Sequence, residues 1–402
     1  MTPFCISSDV LGSEKHMLVD QSGFVTLDKI PPDVWTLSKS IDSRRRLCLN
    51  SALRLNRSSV SIAPPDKWVK AMSILTKNDV KWSNVLPPDE YKRFVKNLVK
   101  SILGNIEDLP QEYCRVTWSS CGDLLAALKP AKIDTALFRE LSGGGVEHGG
   151  GALESFRPGG GGFASPIHYD RFGTRTGRLT VASGPNILTL KKDHRKILRS
   201  FYADGKICNL DFSSLEARII LYEAGVRPTG DDIYQQISED ALGGRVSRDV
   251  TKVAVLSELY GISKAALGNR LSMSGKQLDD FVASIRNYFK TPELKARLKE
   301  EYSTLGKIRN KYGRPLFIDD PSADHLLVNT YAQSTGVDVS LLGFKSIVDT
   351  LGADGIRPLF VLHDALILDV RGDRLVDVEA VRSTSVPGYS SNFPLKFETV
   401  HN

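Results

Sequence analysis

Cysteine is scarce and unpatterned in this chain of 402 residues. The five (Cys5, Cys48, Cys114, Cys121 and Cys208) form no C-x-x-C pair and leave one over. That excludes a disulfide framework or a zinc ribbon as the organising device and fits a reducing, intracellular compartment. No apolar run approaches membrane-spanning length, so no membrane segment is expected. The opening MTPFCISSDVLGSEKHM lacks a charged stretch followed by an apolar one, so no signal peptide is expected either. No G-x-x-x-x-G-K-[ST] loop occurs, which rules out the Walker cradle for a nucleotide. No internal repeat is visible.

Charge of one sign is also modest overall, at +6. Its distribution is uneven. Between Arg171 and Tyr202 stand Arg171, Arg175, Arg178, Lys191, Lys192, Arg195, Lys196 and Arg199, eight bases against the single acid Asp193. One reading is a solvated basic face. A polyanion track explains the density better, because like charges this close repel until something neutralises them.

The remaining composition, 41% apolar and 25% charged, is that of a globular chain with a real core, long enough for two or three domains. Residues 1–140 read as mostly helical. In DEYKRFVKNLVKSILG, Tyr91, Phe94, Val95, Leu98, Val99, Ile102 and Leu103 recur at helical spacing, with Gly104 as the expected stop. Ten of the twenty residues 143–162 are glycine, which predicts a flexible connection and the main boundary. Beyond it CNLDF and PLFVLHDALILDV read as sheet strands, and the stretch from about Asp231 to Lys311 as helical, broken near Gly275 and Pro292.

Two acids stand out. Asp211 ends a short apolar stretch, Ile207 to Leu210 broken by Asn209, as a helix begins, and Asp364 lies in a run that is otherwise apolar apart from His363. Either alone could be an ordinary strand-end acid. As neighbours they would repel when ionised, and the remedies are a shared proton or bound divalent cations. Oxygen ligands without a Cys or His cluster favour Mg²⁺, with Mn²⁺ able to replace it, over Zn²⁺. In SRDVTKVAVLSELYG, Ser247 is an expected N-cap and Gly261 a stop, while Arg248, Lys252, Leu256 and Tyr260 recur every four residues. Bases in the first two turns oppose the helix dipole unless a phosphate chain docks there. The alternative is an amphipathic helix with a basic exposed edge. Ser213 and Glu216 have the spacing of a capping box.

Together, over roughly residues 170–402, these motifs resemble the polymerase domain of family A DNA polymerases. TRTGRL (174–179), followed by PNI, is similar to the family's T-x-T-G-R-L segment, which implies that Arg178 contacts the primer strand. LDFSSLEAR resembles the first metal motif, implying Asp211 as a ligand and Glu216 as the sugar-discriminating gate. RDVTKVAVLSELYG resembles the nucleotide-binding helix, with Arg248 and Lys252 on the incoming phosphates, Lys252 as proton donor to pyrophosphate, and Tyr260 near the templating base. NTYAQ implies a minor-groove pair, Asn329 and Gln333, and LHDALIL the second metal motif, with Asp364 as ligand and His363 beside the DNA. The basic segment, with Lys191, Lys192, Arg195 and Lys196, would follow the primer–template backbone. Three positions depart from the pattern: Leu256 replaces an aromatic residue near the sugar, Tyr234 a phosphate-binding histidine, and Ala365 a glutamate.

The resemblance implies an α+β, right-hand polymerase fold with an antiparallel palm sheet, helical fingers and a helical thumb. The expected divisions are 1–142 (helical, including the thumb), 143–170 (glycine-rich connection), 171–230 (palm), 231–320 (fingers) and 321–402 (palm). It implies template-directed addition of deoxyribonucleotides with two Mg²⁺ ions, and primer–template DNA, dNTPs and replication accessory proteins as partners. No second acidic cluster in residues 1–140 suggests a proofreading exonuclease, and a compact form of this kind suggests a virus or mobile element acting in a host cytoplasm. A single-subunit RNA polymerase or primer-synthesising nucleotidyltransferase is the alternative. TRTGRL, Glu216 and the Asn329/Gln333 pair argue against it, and Leu256 keeps it open.

Overall fold

The computed structural model describes residues 1–39, 47–60, 81–143, 150–230, 232–320 and 324–400. Part of the glycine-rich connection (144–149) and Asp231, where the helical stretch was expected to begin, lie outside these residues. The chain divides into two compact units, Met1–Ala126 with Gly313–Pro315, and Ala127–Tyr312 with Leu316–Asn402.

The first unit opens with a sheet where the sequence pattern suggested helix. Strands β1 (Phe4–Ile6), β2 (His16–Asp20), β3 (Gly23–Leu27) and β4 (Trp35–Leu37) lie in the order β3-β2-β1-β4. The strands are short, and β2 and β3 turn at Gln21–Ser22, so local periodicity carries almost no strand signal. Helix α1 (Pro88–Ile106) has Pro88 in its first turn with Asp89 and Glu90, which suits the positive N-terminal dipole. It buries Leu98, Ile102 and Ile106. It runs through Gly104, whose missing side chain would meet nothing, so that glycine is no stop. Helix α2 (Gln111–Ala127) sets Trp118 edge-on to Trp35 at 6.2 Å.

The second unit is built on a five-stranded, wholly antiparallel sheet. Its strands are β5 (Lys206–Phe212), β6 (Ile356–Leu362), β7 (Ala365–Val370), β8 (Ser383–Thr384) and β9 (Phe393–Thr399), ordered β6-β7-β5-β9-β8. β7 is buried throughout and β6 nearly so, which is why their sequences are almost continuously apolar. The helices that accompany the sheet include α3 (Leu215–Glu223), α4 (Ile233–Leu242), α5 (Arg248–Tyr260), α6 (Lys264–Leu271), α7 (Gly275–Phe289), α8 (Thr291–Leu305) and α9 (Asp324–Leu351). Among the described residues no helix is long and apolar enough to cross a membrane.

The long helix α9 fixes the sheet at the point that matters for the site. Phe212, the residue after Asp211, packs 5.1 Å from the Phe344 ring and 6.2 Å from Phe393. Gly343 of α9 makes room for it: a Cβ there would fall 2.8 Å from Phe212 Cζ and 3.0 Å from Thr384 Cγ2. We predict that Gly343→Val overpacks this contact, costs about 1–3 kcal/mol and lowers the thermal unfolding midpoint. A midpoint equal to wild type would show that α9 does not set the sheet position.

Candidate active site

The two acids meet because a hairpin and a third strand share one register. Leu362 and Ala365 face each other across β6 and β7, leaving His363 and Asp364 as the turn. Asp364 was expected inside a buried strand. It lies instead at the tip of a hairpin, because an apolar run this long can fold back on itself and let its two polar residues out. His363 sits at φ 56°, left-handed backbone that costs a non-glycine residue about 1–3 kcal/mol. The Phe212 N–H donates to the Asp364 carbonyl at 3.0 Å, and Asp211 stands opposite Ala365. The carboxylate-bearing residues therefore sit on adjoining strand ends.

Their electrostatics are strained. Burial, followed by the charge of Asp364, pushes the Asp211 carboxyl up to about 6. Burial raises Asp364 as well. Burial and the Arg178 guanidinium hold His363 below its usual value, so at neutral pH it carries no charge to offset the pair. Lys396, across from Asp211 on β9, is a cation that favours the ionised form. Sequence spacing gave no sign of Lys396, since only strand pairing brings it there.

Helix α5 is capped as expected. Ser247 Oγ accepts from the Val250 N–H at 3.4 Å, and Gly261, at φ 76°, ends the helix. Its two bases gather on the ring of buried Tyr234 on α4: Arg248 lies 5.6 Å and Lys252 5.9 Å from the ring centroid. Arg248 also pairs with Asp232 at 2.5 Å and Asp249 at 3.0 Å. A histidine in place of Tyr234 would itself be a phosphate donor. The tyrosine serves here as a platform for two cations.

Glu216 is not part of a capping box. The N-cap of α3 is Ser214, in left-handed conformation and without a side-chain cap bond. The Glu216 carboxylate instead accepts from the Tyr260 hydroxyl and faces Arg178 Nη2 at 3.4 Å. Burial pushes its carboxyl up, against the pull of Arg178. Arg218, two residues on, is 1% exposed and donates to the Ser213 and Gly230 carbonyls, both at 3.0 Å, which locks the strand-to-helix turn after Asp211. Arg218 was passed over in the sequence because only its burial distinguishes it from a surface arginine.

One cavity of about 340 Å³ collects half of the expected residues: Arg178, Glu216, Tyr234, Leu256, Tyr260, Gln333, His363 and Asp364 line it. Asp211 adjoins it through Phe212, and Asn329 through Gln333, whose Nε2 donates to Asn329 Oδ1 at 2.7 Å. Arg248 and Lys252 reach it by way of Tyr234. Lys191, Lys192, Arg195 and Lys196 are not among its walls. They occupy a 3-10 turn and its first flank, where burial lowers the Arg195 pKa and leaves its Nε without a partner. Gly336, Val337 and Ser340 of α9 also line the cavity, and the sequence singled out none of them.

The chain can now be compared with known proteins. It is 25% identical over 261 residues to the thermostable DNA polymerase I of Thermus filiformis, covering 57% of this chain and 31% of that protein. The corresponding figures for the Thermus thermophilus enzyme are 26%, 57% and 31%, and DNA polymerase I of Deinococcus radiodurans is 25% identical over 250 residues, 53% of this chain and 26% of that one. The chain thus spans less than a third of the length of these relatives. Among solved structures, the POL domain of Pol1 from M. smegmatis, in complex with DNA primer-template and dNTP, matches 99% of this chain and 95% of its own, with a TM-score of 0.59 and 12% identity. The fold is therefore that of a polymerase domain, mixed helix and sheet about an antiparallel palm. The family model for DNA polymerase family A matches residues 166–399, more than half of the chain, and this protein belongs to that family.

Proposed function

We propose that the chain adds deoxyribonucleotides to the 3′ end of a DNA primer under direction of a template. The observation that carries this reading is the convergence of Asp364, Glu216, Tyr260, Gln333 and Arg178 on one cavity, with Asp211 against its edge. Asp211 and Asp364 are the residues that would hold Mg²⁺ (two ions, with Mn²⁺ a substitute). Their fit rests on two adjoining carboxyl groups whose burial already disfavours ionisation, a condition that a cation relieves. Among the described residues no cluster of three or more His, Cys, Asp or Glu forms a closed metal cage. Two carboxylates leave positions for water and phosphate oxygens, as Mg²⁺ prefers. Held by Asp211 and Asp364, Mg²⁺ would supply acidification of the primer 3′-hydroxyl and neutralisation of phosphate charge.

The chain's own residues position the reactants. Arg248 and Lys252, steadied on the Tyr234 ring, bind the triphosphate together with the free N–H groups at the start of α5. Arg248 exchanges its carboxylate partners for phosphate, and Lys252 Nζ gives a proton to the departing pyrophosphate. Glu216 lies under the sugar and excludes a 2′-hydroxyl. Tyr260, released from Glu216, is free to sit near the templating base. Arg178, Asn329, Gln333 and His363 hold the primer end, and Lys191, Lys192, Arg195 and Lys196 follow the backbone by charge. Leu256 gives the sugar side of the cavity a flat aliphatic wall without an aromatic ring, so sugar selection is modest.

Asp211→Asn or Asp364→Asn should abolish nucleotide addition while leaving DNA affinity nearly unchanged, since affinity comes from the basic contacts. Extension at near wild-type rate by either variant would refute the two-carboxylate assignment. The same Asp211→Asn variant carries a stability signature. A carboxyl raised in the fold to about 6, well above its value in the unfolded chain, is penalised when ionised. The penalty is full above pH 6 and fades as pH falls toward 4. In the absence of metal, the variant should therefore melt above wild type at pH 8, with a gap that closes on acidification.

Glu216→Ala should raise ribonucleotide incorporation relative to deoxyribonucleotide at least tenfold, about 1.4 kcal/mol. A stability loss with unchanged sugar preference would assign Glu216 to structure alone. We further propose that the chain does not proofread. Given a primer with a mismatched 3′ end and Mg²⁺ but no nucleotides, it should leave the primer intact, and progressive 3′ shortening would disprove this.

A further inference from the structure

Away from the catalytic end of β5, the palm carries a second cavity of about 540 Å³, walled by Pro130, Arg157, Gly159, Phe163, Ser165 and Arg357 among others. Ile207 pairs with Asp369 in the same register that pairs Asp211 with Ala365. The two positions are four residue steps apart along extended strand, roughly 13 Å at about 3.3 Å per residue. The cavity is therefore a separate place on the same sheet, and nucleotide addition uses none of its residues.

Its chemistry is aromatic and cationic. Arg357 lies 4.5 Å from the Phe201 ring centroid and 5.9 Å from that of Phe163, and the two rings are 6.2 Å apart. Phe201 is 46% exposed, which is high for so large an apolar side chain. It is also held in place. Its N–H donates to Asp369 Oδ2 at 2.8 Å, while Ser200 Oγ donates to Asp369 Oδ1 at 2.6 Å, and Asp369 is buried. Arg357 Nη2 donates to the Pro130 carbonyl at 3.1 Å, which fixes the guanidinium beside both rings. Arg157 stands at the rim, its side chain 71% exposed and paired with Glu154 three residues earlier. Phe201 also follows directly on the basic segment that ends at Arg199, so the charged track leads to the aromatic surface.

We propose that this surface binds single-stranded DNA, with an unpaired base stacked on Phe201 and Phe163 and the adjacent phosphates meeting Arg157 and Arg357. Rings fixed in advance beside guanidinium groups are what a flat π-face and a phosphate require. Base pairs inside a duplex keep their faces covered and gain nothing here. The site gives the enzyme a hold on unpaired strand separate from its hold on the primer end.

The test uses the full chain, labelled oligo-dT and a blunt duplex, read by fluorescence anisotropy. Phe201→Ala should weaken oligo-dT binding at least fivefold, leave duplex binding unchanged, and extend a recessed primer at wild-type rate. Phe201→Trp should restore the affinity, and its added indole emission should be quenched by oligo-dT and not by duplex. Unchanged oligo-dT affinity in Phe201→Ala overturns the proposal. If that variant fails to fold, absence of quenching in Phe201→Trp overturns it instead.

Discussion

Asp364 stands beside Asp211 because the β6–β7 hairpin pairs in register with β5, and its two-residue turn is fastened to the strand end by a backbone hydrogen bond, Phe212 N–H to the Asp364 carbonyl. Much else follows from that contact. His363 accepts left-handed backbone to make the turn. Phe212 needs a pocket, which α9 provides by having glycine at 343. Arg218 secures the reversal from β5 into α3, so that Glu216 emerges next to the acids rather than away from them. The site is thus a product of strand register, and its two charges are tolerated because the surrounding backbone leaves them nowhere else to go.

The side of the cavity proposed to take the nucleotide is prepared in a different way. Tyr234 holds Arg248 and Lys252 on one ring, and Tyr260 and Arg178 hold the Glu216 carboxylate. Each cation and each acid has a temporary partner that substrate can displace. This lowers the penalty of keeping unlike charges near a partly buried cavity before the substrate arrives. The same reasoning fits Phe201 and Arg357 at the far end of the sheet, where rings and guanidinium wait stacked on one another.

The sequence made the motif-bearing half legible because its signals are local. Ser247 and Gly261 bracket α5, and the helical spacing of Arg248, Lys252, Leu256 and Tyr260 survives in three dimensions. Signals that depend on distant pairing were misread. Asp364 reads as mid-strand until the hairpin is known, and Ser213 with Glu216 reads as a capping box until Tyr260 claims the carboxylate. The opening strands Phe4–Ile6 and Trp35–Leu37 pair in parallel across thirty residues, a contact that no window of neighbouring residues contains. Lys396 and Arg218 belong to the same class, visible only through register and burial.

Template-directed extension by the wild-type chain decides whether the assembled residues work as a polymerase. Each of the four dNTPs, and separately each of the four NTPs, is offered singly to a recessed primer with Mg²⁺ or with EDTA. The account predicts that only the dNTP matching the template base is added efficiently, that addition stops in EDTA, and that matched ribonucleotides are added more slowly. Extension without a divalent cation, or a preference for ribonucleotides, would contradict it.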